Sequence, residues 1–109
     1  MSEKSRMALL NRNLRIVVKT GKITVGKKNI MSTLRTSQAK LLIMADNIPE
    51  DYRETLLHHI SLQNRKIDVF TYPGGSWALG NQAGRPHMVG AMLIEQPGDS
   101  KILKVVKEF

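Results

Sequence analysis

Residues 40–45 read Lys-Leu-Leu-Ile-Met-Ala, an apolar run with no alternation after its first residue. A strand with one wet face alternates polar and apolar side chains, whereas an unbroken run is the pattern of a strand covered on both faces. Such a strand demands a sheet with a layer on each side, and the flanking segments can supply those layers. Residues 5–19 place Met7, Leu10, Leu14, Val17 and Val18 at helical spacing, with Gly21 as a stop. Ile23-Thr24-Val25 predicts a short strand, and residues 27–35 a second helix with Ile30, Met31 and Leu34 on one side. Asn47-Ile48-Pro49 starts a third helix, with Pro49 in its first turn, Tyr52, Leu56, Leu57 and Ile60 as its apolar side, and Asn64 as its stop.

The second half continues the alternation. Ile67, Val69 and Phe70 predict a strand, Pro73-Gly74-Gly75 a turn, and Ser76 a cap for a short helix opening at Trp77. Residues 85–88 predict a loop, residues 89–95 a last strand closed by Pro97-Gly98, and Ile102, Leu103, Val105 and Val106 pack afterwards. The sum is one domain over residues 1–109, an α/β chain folded as an α/β/α sandwich around a small sheet. A lone tryptophan is usually highly buried, so Trp77 is expected to pack its helix onto the sheet, base stacking being the other reading. Met7, Met31, Met44 and Met92 fall at periodic positions and read as core. His58 and His59 read as structural.

Composition removes whole classes of function. No cysteine is present, which excludes disulfides, thiolate chemistry and zinc ribbons and suits a reducing cytosol. The three histidines lack an accompanying carboxylate cluster, so no metal and no cofactor is expected. No run approaches the roughly 18 apolar residues of a membrane span, and the N-terminus lacks an apolar signal core. The net charge is +8. Residues 1–45 hold ten basic side chains and one acid, while the remaining 64 hold seven basic and eight acidic. This asymmetry predicts a polyanion approached from one side of the molecule.

The stretch Gly21-Lys22-Ile23-Thr24-Val25-Gly26-Lys27-Lys28 names the anion's chemistry. A glycine opening a helix allows close backbone approach, the helix start offers free N–H groups, and two lysines add charge, which together suit a phosphate. The same residues fit the G-x-x-x-x-G-K pattern of a nucleotide-binding loop. Lys28 stands where that loop needs Ser or Thr for magnesium, and Ile23-Thr24-Val25 reads as strand instead of loop, so a nucleotide-dependent enzyme is the weaker reading. Three loops are candidates for the binding rim: Gly26-Lys27-Lys28-Asn29, Asp46-Asn47-Ile48-Pro49 and Gly84-Arg85-Pro86-His87-Met88. The first two leave successive strands and share the rim where ligands usually sit. Each also has a plainer reading: Asn47 as a cap for the third helix, Asn29 as a first-turn residue facing water, Arg85 and His87 as solvated loop residues.

These motifs together resemble a known family. The run 21–28, then Ala39-Lys40-Leu41-Leu42-Ile43-Met44-Ala45-Asp46-Asn47-Ile48-Pro49, then Gly84-Arg85-Pro86-His87-Met88-Val89-Gly90 and Pro97-Gly98-Asp99-Ser100-Lys101-Ile102-Leu103, is similar in order and spacing to the archaeal and eukaryotic large-subunit ribosomal protein L-thirty-e family. The Gly-Arg-Pro-His tetrad is especially like archaeal members, and the likeness covers residues 5–103. It implies a four-stranded mixed sheet and a structural, non-catalytic role: binding a kink-turn in ribosomal RNA, beside neighbouring ribosomal proteins in the large subunit of the cytoplasmic ribosome, with no membrane and no small-molecule substrate. By the same resemblance the RNA surface is Gly26, Lys27, Lys28, Asn29, Asn47, Ile48, Arg85, Pro86, His87, Met88 and Val89. Charge chemistry then assigns Lys27 and Lys28 to phosphates, Asn29 and Asn47 to base edges, and the glycines to close approach. His87 stands where some members carry a bulkier stacking residue. Ile30 stands where another branch of the superfamily has an acid, which favours the thirty-e branch over a subunit of an RNA modification or processing complex.

Overall fold

A computed structural model describes residues 3–36, 39–63 and 66–107, with residues 3 and 36 described by their backbone only. Helices and strands alternate: α1 (Glu3–Thr20), β1 (Lys22–Val25), α2 (Lys27–Thr36), β2 (Leu41–Ala45), α3 (Glu50–Ser61), β3 (Asp68–Tyr72), α4 (Gly75–Gln82), β4 (Ala91–Gln96) and α5 (Ile102–Lys107). The four strands form one mixed sheet in the order β1-β4-β2-β3. Strand β4 lies antiparallel between β1 and β2, and β2 pairs in parallel with β3. The α/β/α sandwich expected from the sequence is therefore the fold.

Every residue of β2 is buried, as its lack of alternation required. Leu41, Ile43 and Ala45 face one core with Leu10, Leu14 and Val17 of α1, Leu79 of α4 and Ile102 and Val105 of α5. Leu42 and Met44 face the other, with Ile30 and Leu34 of α2 and Leu56 of α3. Strand β4 divides in the same way, Met92 and Ile94 to the first core and Ala91 and Leu93 to the second. At about 1.5–3 kcal/mol per large apolar side chain, these two cores dominate the stability of the domain.

Several boundaries differ from expectation, each for a local reason. Pro49 is the N-cap of α3 and lies just outside its first turn; Asn64, the expected stop, lies outside the described residues, and Leu62 caps the helix. Strand β3 runs on to Thr71 and Tyr72 because their partners Met44 and Ala45 continue in β2, while Ile67 precedes the strand as buried core. Strand β4 starts at Ala91, since Val89 hydrogen-bonds Ser76 across the loop and is not paired in the sheet. Ser76 does not cap α4, whose N-cap is Gly74. Trp77 does not pack onto the sheet: it is 62% exposed, on the outer side of an eight-residue helix whose inner side is filled by Leu79 and Gly80.

The basic first half is not confined to one side. Helix α1 belongs to the layer with α4 and α5, and α2 to the opposite layer with α3. The chain passes from one layer to the other through edge strand β1, so a charge bias continuous in sequence is split in space.

One buried polar residue ties the first layer together. Asn13 is 6% exposed; its Nδ2 donates to the Leu9 carbonyl at 2.9 Å and its Oδ1 accepts the Lys101 N–H at 2.8 Å. We expect Asn13→Ala to lower unfolding free energy by about 1–3 kcal/mol in urea titration, because it removes both hydrogen bonds of a buried amide and leaves the Lys101 N–H without its partner.

Candidate nucleic-acid interface

Strands β1, β2 and β3 run in one direction and β4 in the other, so the ends of the first three and the start of β4 meet at a single rim. Main-chain hydrogen bonds close that rim. Gly26 N–H donates to Ala91 O at 3.4 Å, Ala45 N–H to Gly90 O at 2.8 Å, and Asp46 N–H to Tyr72 O at 3.0 Å. All three candidate loops are thus brought to one end of the sheet.

The first loop is built for a bare backbone. Gly26 adopts φ +90°, a region that costs an L side chain about 1–2 kcal/mol, and its carbonyl accepts the Ile30 N–H at 2.9 Å as α2 begins. The first-turn N–H groups of α2 have no partner within the helix and carry its positive dipole end. Lys28 and Asn29 are exposed, and Asn29 Nδ2 donates to Val25 O at 3.3 Å. Lys27 is half-buried, with its ammonium 5.4 Å from the Tyr52 ring centroid, a cation–π placement. Burial raises the Tyr52 pKa above its ordinary value, and a hydrogen bond with the Lys27 backbone works against that rise, so the phenol stays neutral.

In the second loop, Asn47 is not the cap of α3, which has no side-chain cap. Its Oδ1 accepts the Ser76 N–H at 2.9 Å and so satisfies the first turn of α4, 29 residues away. Its Nδ2 remains as a donor. Ile48 is half-buried and packs against both cores.

The third loop lies on α4. Arg85 N–H donates to Gly80 O at 3.0 Å and Val89 N–H to Ser76 O at 3.1 Å. A Cβ at position 80 would run into the His87 carbonyl, so only glycine lets the loop settle there. Arg85, Pro86, His87 and Met88 are exposed, and His87 Nδ1 lies 3.0 Å from Met88 O. Val89 is buried in the first core, so its side chain is a support and offers little surface of its own.

Two clefts run between the first and third loops. One, of about 490 Å³, is lined by Val25, Gly26, Asn29, Tyr52, His87, Met88, Val89 and Gly90. The other, of about 510 Å³, is lined by Ile23, Thr24, Val25, Asn29, Ser32, Thr33 and Arg85. Asn29 stands on the divide between an apolar cleft and a hydroxyl-rich one. Sequence reasoning missed Tyr52, Thr24, Ser32 and Thr33. Ser32 and Thr33 sit one turn beyond Asn29, a spacing that could have found them. Tyr52 reads as core by period, and only its position in the first turn of α3 signals the rim.

The nucleotide-loop reading fails on geometry. Gly21 and Gly26 lie at opposite ends of strand β1, so the residues between them form no loop that could cradle a phosphate. What remains is a rim of helix-start amides, exposed cations, amide side chains and an apolar cleft, a surface whose chemistry suits the phosphates and base edges of a shaped polyanion.

Comparison with known proteins identifies the family. Residues 8–104 match the model of the ribosomal protein L7Ae/L30e/S12e/Gadd45 family, and the chain belongs to this family. It is 41% identical over 97 residues to the large ribosomal subunit protein eL30 of Methanothermobacter thermautotrophicus, covering 89% of this chain and 97% of that protein. It is 38% identical over 101 residues to eL30 of Pyrobaculum islandicum, covering 93% and 98%. Against eL30 of Saccharolobus solfataricus it is 36% identical over 95 residues, covering 87% and 86%.

Asn47 allows its structural role to be separated from any contact role. Asn47→Ala should cost about 0.5–2 kcal/mol by removing the surrogate cap of α4. Asn47→Asp keeps the accepting oxygen and should hold stability near wild type; hydrogen exchange at the Ser76 amide distinguishes the two.

Proposed function

We propose that this chain is a structural constituent of the large ribosomal subunit, working in the cytoplasmic ribosome without catalysis, and that its rim binds a kink-turn in ribosomal RNA beside neighbouring ribosomal proteins. The observation that carries this reading is the meeting of three loops from distant parts of the sequence at one rim, with Asn29 standing between the two clefts that separate the first loop from the third. The names of the relatives favour a ribosomal role over one in RNA modification or processing.

A kink crowds phosphates and exposes base edges that an A-form major groove hides. Lys28 meets phosphates from the solvent side. Lys27, held over Tyr52, presents its charge with less freedom to lose on binding. Asn29 and the Asn47 amide reach base edges. Gly26 admits the RNA backbone to the helix-start amides, Ile48 and Val89 hold the rim in shape, and Arg85, Pro86, His87 and Met88 cover the bend.

The deciding experiment compares a kink-turn RNA with a matched straight duplex lacking the G·A pairs, at several salt concentrations. The kinked RNA should bind at least about tenfold tighter at each salt, about 1.4 kcal/mol. Equal affinities that fade together with salt would reduce the protein to a non-specific cation. Replacing Lys27 and Lys28 together by Ala should weaken kink-turn binding by about 1–3 kcal/mol and flatten the salt slope, with the fold intact by circular dichroism.

A further inference from the structure

We propose that the outer face of α1, together with Lys101, Lys104 and Lys107, is a second RNA-binding surface that grips phosphodiester backbone independently of the rim. The assignment of RNA as the polyanion rests on the ribosomal reading of the rim; the surface itself does not.

The first observation is a stripe. Lys4, Arg12, Arg15 and Lys19 are all exposed on α1. At about 100° per residue they fall within an arc of about 80°, spread along about 22 Å of helix. They lie opposite Leu10, Leu14 and Val17, which face the core. Helix α5 packs beside α1 and adds the exposed Lys104 and Lys107, with Lys101 just before it. Among the residues whose side chains are described, α1 and α5 carry no acid, and none of these seven cations forms an ion pair.

The second observation is rigidity. A groove of about 250 Å³ between α1 and the segment leading into α5 is lined by Leu9, Arg12, Asn13, Ile16, Asp99 and Lys101, which places two cations and one acid on its walls. Asn13 fixes the Lys101 backbone to α1 at one level. At another, Thr20 Oγ1 donates to Ile16 O at 2.8 Å and accepts the Asp99 N–H at 3.0 Å. Arg12 and Lys101 therefore belong to one fixed surface, and α5, which carries Lys104 and Lys107, is packed against the same helix.

The third is placement. Lys19 lies beside Gly21, at the end of β1 opposite Gly26, and α1 belongs to the layer opposite α2. RNA seated on the rim leaves Arg12, Arg15 and Lys19 uncovered. A row of cations with one nearby acid among the described side chains is complementary to a line of phosphates, and binding there releases condensed counterions whatever the base sequence.

The test uses the full chain and its Arg12→Gln/Arg15→Gln/Lys19→Gln variant, in which glutamine keeps helix propensity. Fluorescence anisotropy follows a labelled straight RNA duplex while the rim is saturated with unlabelled kink-turn RNA. The wild type should still take up the duplex as a ternary complex. The variant should bind that duplex about tenfold or more weakly, with a salt slope smaller by about 2, and should keep kink-turn affinity within about twofold. Full displacement of the duplex by kink-turn RNA overturns the proposal. So does a variant that binds duplex like wild type, which would leave the face to an acidic protein neighbour. A protein with no preference for the kink would defeat the rim reading alone, and the variant's duplex affinity and slope would still decide this one.

Discussion

The insertion of β4, antiparallel, between β1 and β2 is the constraint on which the rest of the molecule depends. Without it, β1 would have no partner, since it is an edge strand of four residues paired to β4 alone. With it, the loops leaving β1 and β2 must lie next to the loop that leads into β4. Burial enforces the arrangement: β2 and the first five residues of β4 are fully enclosed, so every backbone polar group in them needs a ladder partner. A slip of one residue in that ladder would exchange the two cores and drive apolar side chains to the wrong layer. The rim is thus set by the same register that sets the core.

Much of this was legible in the sequence, because the signals were periodic. The unbroken run of β2 announced two covering layers, and the helical spacing in α1, α2 and α3 supplied them. Gly26 was legible too, since a glycine between a β-branched run and an amphipathic one has few other uses. What stayed hidden was tertiary. Asn47 read as a cap for the helix that follows it, and it does cap a helix, but α4, through a partner 29 residues on. Nothing local could indicate that bond. Trp77 misled because average burial says little about an eight-residue helix, which has room to bury only one side.

The charge pattern misled for a topological reason. Residues 1–45 carry ten basic side chains and one acid, and a polyanion meeting them from one side is the simplest geometry that sequence order suggests. Strand β1 carries the chain across the edge of the sheet between α1 and α2, so neighbours in sequence end on opposite layers. The bias describes two surfaces. One meets the rim at Lys27 and Lys28; the other runs along α1 to the far end of the sheet.

A row of like charges along one helix costs something even before any ligand arrives. Arg15 and Lys19 are four residues apart and Arg12 and Arg15 three, spacings at which like charges destabilise a helix by about 0.2–0.5 kcal/mol per pair. Against this stand Leu10, Leu14 and Val17 on the inner side of the same helix, each fully buried and each contributing about 1.5–3 kcal/mol. The burial term exceeds the repulsion several-fold, so α1 needs no acids on its outer face in order to fold. Stability therefore leaves the charge of that face unconstrained. Acids interspersed at i and i+4 would have improved both solubility and helix strength, and the stripe omits them. That omission is intelligible where the charge has an external partner, because the repulsion that weakens the free helix is relieved when a polyanion lies along it.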